Sequence, residues 1–127
     1  MADSRGELRI EAIVLVAVGG FFGSTLRFFV GQFEPGIEGT LFVNALGSLL
    51  LGILVYESLG PDLLDDLSRR VLGTGVLSSF TTYSTFALET VQAEPLVGLL
   101  NVVGSYGLGF AGVLIGREIA GMLEGYR

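Results

Sequence analysis

Three stretches of this chain, 39–56, 71–88 and 95–116, contain no charged residue, and a fourth, 12–30, contains only Arg27. Each is close to the roughly 20 residues that a helix needs to cross the hydrocarbon core of a bilayer. No water is available there, so the backbone must satisfy its own polar groups, and a helix does so within one segment. The expected fold is an all-α membrane protein of four transmembrane helices, over about 10–31, 39–57, 71–89 and 95–117, in one domain, 1–127. Half of the 127 residues are hydrophobic, more than an ordinary soluble domain carries. The first stretch is not expected to be a cleaved signal peptide, because it holds Arg27 and leads into three more spans.

Cysteine and histidine are both absent. That removes disulfides, thiolate metal sites and the usual neutral-pH acid-base group. No cluster of carboxylates and hydroxyls makes up the loss, so the chain is not expected to be an enzyme. The net charge is -6 and every basic residue is arginine, which gives no basic surface for nucleic acid.

The intervening loops are short. With four spans, both tails and the middle loop share one side, which holds Arg5, Arg9, Arg69, Arg70, Arg117 and Arg127. The first and third loops hold only acidic residues, Glu34, Glu38, Glu89 and Glu94. The positive-inside rule then places both termini in the cytoplasm, with the chain in the plasma membrane.

The polar residues inside the spans are patterned. In 75–89, Ser78, Ser79, Thr81, Thr82, Ser84 and Thr85 sit at bilayer depth. Hydroxyls there face protein, water or a passing solute. Tyr83 and Phe86 are three residues apart on one helical face. In the second span, Thr40, Asn44, Ser48 and Gly52 recur every four residues. In the first, Gly20, Gly23, Ser24, Arg27 and Gly31 share a face, where small residues let neighbouring backbones approach. In the fourth, Asn101, Ser105 and Gly109 repeat at the same spacing.

These motifs resemble the signatures of the Fluc (CrcB) family of fluoride channels. Residues 78–86, Ser-Ser-Phe-Thr-Thr-Tyr-Ser-Thr-Phe, with Glu89, match its third-helix pattern, although Ser78-Ser79 replaces Gly-Gly and Tyr83 replaces Phe. Residues 39–48 match its Gly-Thr-Leu-x-Val-Asn-x-x-Gly-Ser, and 19–28 match its Gly-Gly-x-x-Gly-Ala-x-x-Arg-Tyr with Ser24 and Phe28 departing. The resemblance runs from 17 to 116.

The resemblance implies a third helix broken at mid-membrane and assembly as an antiparallel dimer. It implies a structural sodium ion at the dimer centre, held by the backbone carbonyls of Ser78 and Thr81. It implies a fluoride path along Asn44, Tyr83, Phe86, Ser84, Thr85 and Ser105, with Glu89 near the mouth. Arg27 is read as an arginine tying loop carbonyls or lying at the interface. Asn101 stands where the family often has Tyr, and Tyr106 is off that register. The second subunit is either a sister chain of opposite charge bias, the form the firm bias favours, or a second copy of this chain inserted the other way.

The expected function is a fluoride-selective channel that lowers cytoplasmic fluoride by passive efflux. One alternative is a weakly conducting or non-conducting partner subunit of a heterodimeric channel. Another is a small four-helix multidrug exporter, which would want a carboxylate deep in the first span; Glu11 lies too near its end.

Overall fold

The computed structural model describes residues 4–57 and 64–125. Arg127 and most of the middle loop lie outside the described residues, as does the side chain of Arg5. Helix α1 is Ser4–Phe33 and α2 is Ile37–Glu57. Helix α3 joins an α-helical start, Asp66–Arg70, to a π-helical stretch, Val71–Leu77, and a last turn, Ser78–Phe80. Helix α4 is Ser84–Gln92 and α5 is Pro95–Gly125. No strand occurs among the described residues. Three stretches are long and apolar enough to cross a membrane: Arg9–Phe33, Ile37–Glu57 and Pro95–Leu123. The stretch expected as a single third span, 71–89, does not form one long helix. It stops at Phe80 and restarts at Ser84.

Glycines pair the helices. A Cβ on Gly19 would lie 3.0 Å from the Val71 carbonyl, one on Gly75 would lie 2.9 Å from that of Val16, and one on Gly23 would run into that of Val76. The backbones of α1 and α3 therefore touch, as small-residue faces permit. The same device joins α2 to α5. A Cβ on Gly52 would lie 2.8 Å from the Val113 carbonyl, and one on Gly116 would collide with that of Leu49. Between α1 and α2 the chain turns at Gly36, whose φ of 84° is open to glycine at no steric cost.

The side chains facing outward are mostly apolar, including Phe21, Phe22, Phe29 and Phe33 on α1. Such a surface suits lipid better than water. Two of the few buried hydrophobic residues, Phe80 and Phe86, lie on either side of the gap between α3 and α4. They anchor the two broken ends.

Charge is segregated to the two ends of the bundle. At one end Arg69 Nη1 donates to Glu57 Oε2 at 2.9 Å, and the guanidinium also reaches the carbonyls of Leu54 and Leu64 at 3.2 and 3.1 Å. Glu57 is 3% exposed, so this carboxylate is balanced inside the protein. Arg117 lies over the Tyr56 ring at 5.6 Å nearby. Asp65 caps the first turn of α3 by accepting from the Ser68 amide. Hydrogen bonding to the Ser68 side chain, and then to its amide, holds the carboxyl below the usual carboxylate range. At the other end Glu34, Glu89 and Arg27 line one cavity.

Candidate functional site

The break is marked by a change of hydrogen-bond partners at Thr82. Serine and threonine hydroxyls can bond the carbonyl one turn back and so rival the helix ladder. Ser78 Oγ donates to the Thr74 carbonyl, and Thr81 Oγ1 donates to that of Leu77 at 3.2 Å. Thr81 itself is extended, with ψ of 164°. In an unbroken helix the Thr82 N–H would bond the Ser78 carbonyl. Here it donates to Asn44 Oδ1 at 2.8 Å, and Asn44 Nδ2 donates back to the Thr82 carbonyl at 2.9 Å. One amide side chain on α2 thus replaces both helical partners of Thr82. Helix α4 then restarts under a side-chain cap, the Thr85 N–H donating to Thr82 Oγ1 at 3.2 Å.

Among the carbonyls that lose their helical partners at this break are those of Ser78 and Thr81. That of Ser78 is deprived of the Thr82 donor. That of Thr81 accepts from Arg27 Nη1 at 3.3 Å. Arg27 therefore ties a loop carbonyl across 54 residues of sequence.

Two cavities flank Thr82. The first, of about 510 Å³, is lined by Arg27, Thr40, Thr82, Thr85 and Glu89. In it Thr40 Oγ1 donates to Glu89 Oε1 at 3.0 Å, while Glu89 Oε2 is buried without a hydrogen-bond partner among the described residues. The second, of about 430 Å³, is lined by Asn44, Thr82, Tyr83, Phe86, Ser105 and Tyr106, among others. The rings of Tyr83 and Phe86 lie 5.8 Å apart, tilted by 50°. Tyr106 meets Phe86 edge to face at 6.4 Å. An aromatic edge is electropositive, so these rings offer an anion a resting surface without a fixed charge.

Asn44, Tyr83, Phe86 and Ser105 thus meet around one cavity, and Thr85 faces the other. Ser84 is exposed on the first turn of α4, its hydroxyl 3.5 Å from that of Thr82. Asn44 has one Nδ2 hydrogen left after Thr82 is served. Three residues outside the path expected from the sequence also take part. Thr82 carries both the bridge to Asn44 and the cap on α4. Tyr106, set aside as off-register, packs on Phe86. Thr90 joins Phe86 to Asn101, donating to the Phe86 carbonyl at 2.7 Å and accepting from Asn101 Nδ2 at 2.9 Å. Its place four residues after Phe86 was the available signal.

With this geometry in hand, the similarities to known proteins are specific. The profile of the family described as "CrcB-like protein, Camphor Resistance (CrcB)" matches residues 14–117. The chain is 55% identical over 125 residues to the "Fluoride-specific ion channel FluC 1" of Haloarcula marismortui, covering 98% of each chain. It is 51% identical over 123 residues to the "Fluoride-specific ion channel FluC 2" of Halobacterium salinarum, covering 94% of this chain and 96% of that one. It is 46% identical over 114 residues to the "Fluoride-specific ion channel FluC 1" of Natronomonas pharaonis, covering 88% and 96%.

Proposed function

The chain belongs to the CrcB-like family, and on that premise we infer that it is a fluoride-selective channel that lowers cytoplasmic fluoride by passive efflux. It is a membrane protein and not an enzyme. The observation that carries this reading is the break at Thr81–Tyr83, braced by Asn44 and opening on a cavity of hydroxyls, an amide and aromatic edges. Fluoride is small and strongly hydrated. To pass, it must exchange water for several close donors that release it again, since conduction needs binding that is favourable but leavable. Neutral donors and ring edges meet that need. The residues lining the aromatic cavity include no lysine or arginine that would trap the ion.

Helices α3 and α4 together make the third of four crossings, with the break at mid-membrane. Ions travel between the two cavities past Thr82, meeting Thr85 on one side, where Arg27 and Glu89 also lie, and Asn44, Phe86, Tyr83 and Ser105 on the other, with Ser84 exposed beside Thr82. A negative-inside potential drives the anion outward by about 2.3 kcal/mol per 100 mV. By the positive-inside rule the arginines at the Glu57 end support a topology with both termini in the cytoplasm, in the plasma membrane. No acidic residue of α1 lies between Glu11 and Glu34, which removes the carboxylate an exporter of organic cations would want.

The chain pairs with an antiparallel second subunit, a sister chain or a second copy. The carbonyls of Ser78 and Thr81 suit a sodium ion there, because unwound carbonyls are the donors such a cation takes. Each subunit would supply two oxygens, and Arg27 leaves the Thr81 carbonyl a lone pair for the purpose. The ion's part would be structural, tying the broken helices together.

The test is efflux from fluoride-loaded vesicles holding the purified protein. Fluoride should leave while chloride stays. A folded protein that passes neither ion, or both equally, would refute the channel reading.

A further inference from the structure

Asn101 is 2% exposed, and no role in the path follows from its position alone. Its hydrogen bonds form a directed chain. Thr90 has a single hydroxyl hydrogen, and it points at the Phe86 carbonyl, which has only lone pairs to offer. Thr90 Oγ1 can therefore only accept from Asn101, which must present Nδ2, at 2.9 Å. This fixes which way the amide faces. Asn101 Oδ1 is left toward Ser105, and the Ser105 hydroxyl donates to it at 3.3 Å. Turning the amide over would set two acceptors against each other in a buried place, so it stays as it is.

The consequence falls on Ser105, which lines the aromatic cavity beside Phe86 and Tyr106. Its one hydrogen is committed to Asn101, so it shows the cavity its lone pairs. An anion only accepts hydrogen bonds, and a hydroxyl facing it this way repels. We propose that Asn101 is a positioning residue that withholds the Ser105 hydrogen from the passing anion. It thereby sets how readily fluoride crosses the α5 side of the path. The Ser105 bond is the longest link of the chain, so the hydroxyl can be drawn away toward the ion at a cost. Asn101 throttles this step and does not close it.

This inference rests on the channel reading, and a four-member cycle tests it: the native chain, Asn101→Leu, Ser105→Ala and the double variant, each measured for fluoride efflux with chloride as control. Leucine keeps the bulk of the amide and removes the acceptor. The Ser105→Ala loss should then be at least about fivefold larger in the Asn101→Leu background than in the native one, since only there is the hydroxyl free to donate. A merely structural Asn101 would lower flux with or without the Ser105 hydroxyl, and the two losses would be equal; that result overturns the proposal. Asn101→Val replaces Asn101→Leu if the latter is not helical and monodisperse. A native chain that passes no fluoride overturns the channel reading and this one with it. A conducting native chain with equal losses overturns this one alone.

Discussion

Removing the side chain of Asn44 should do more local damage than removing most residues of the bundle. Its amide makes two hydrogen bonds to the backbone of Thr82, at 2.8 and 2.9 Å, across 38 residues of sequence. In Asn44→Ala both Thr82 groups lose their partners where no helix supplies another. A buried orphan group costs about 1–3 kcal/mol. These are partly buried and border a cavity that water can enter, so the low end applies, about 2–3 kcal/mol for the pair. At about 4 °C per kcal/mol for a chain of this size, the melting temperature in detergent should fall by about 10 °C. The loss should concentrate at the break. Amide exchange over 81–85 should quicken about thirty- to a hundredfold, since each 1.4 kcal/mol is a factor of ten. Exchange within α5 should change far less. Asn44→Asp keeps the acceptor for the Thr82 N–H but sets an oxygen against the Thr82 carbonyl, so it should not rescue the break. An Asn44→Ala protein that melts within about 1 °C of the native one, with 81–85 unchanged, would show that Asn44 does not brace the break.

Other substitutions probe the rest of the account. Arg69→Ala takes the guanidinium away from the buried Glu57 carboxylate and should lower the unfolding temperature, while the double variant Glu57→Leu with Arg69→Met should recover most of the loss. Gly52→Val drives a side chain into the Val113 backbone and should cost about 1–3 kcal/mol, whereas Gly121→Ala, with nothing within 4 Å, should be neutral or slightly stabilising by the same assay. Tyr83 and Phe86 present the ring edges of the aromatic cavity, so Tyr83→Ile, which removes one of them, should lower fluoride efflux about tenfold or more. The Asp65 cap is present above the unfolded carboxylate pKa and is lost as pH falls through the lowered folded value; exchange of the Ser68 amide should therefore quicken below about pH 4, and Asp65→Ala should abolish that pH dependence.

The long helices were legible because charge is missing from them, and that absence needs no partner to interpret. Thr40, Asn44 and Ser48 could be placed on one stripe of α2 from spacing alone. The acceptor and donor that Asn44 meets could not, because they are backbone atoms of Thr82 on a segment whose local geometry the sequence does not state. The expectation of a break came from the resemblance; its hydroxyl chemistry is visible in the residues only once the bonds of Ser78 and Thr81 are traced. The π-helical turn at Val71–Leu77 has no compositional mark, since Gly73 and Gly75 fit either helix. The pairing of Glu57 with Arg69 could not be read from the sequence, because the two lie on different helices and meet only where α2 ends against the start of α3. Tyr106 was set aside because stripe reasoning compares residues on one helix, whereas its partner, Phe86, is on another.

The central claim is that this chain carries fluoride and discriminates against chloride. It is tested most directly by purifying the tagged protein with any subunit that accompanies it, sealing it into vesicles loaded with both anions, and following each with its own electrode. Fluoride should escape and chloride should be retained. A folded, reconstituted protein that holds fluoride in, or lets chloride out as fast, would contradict it.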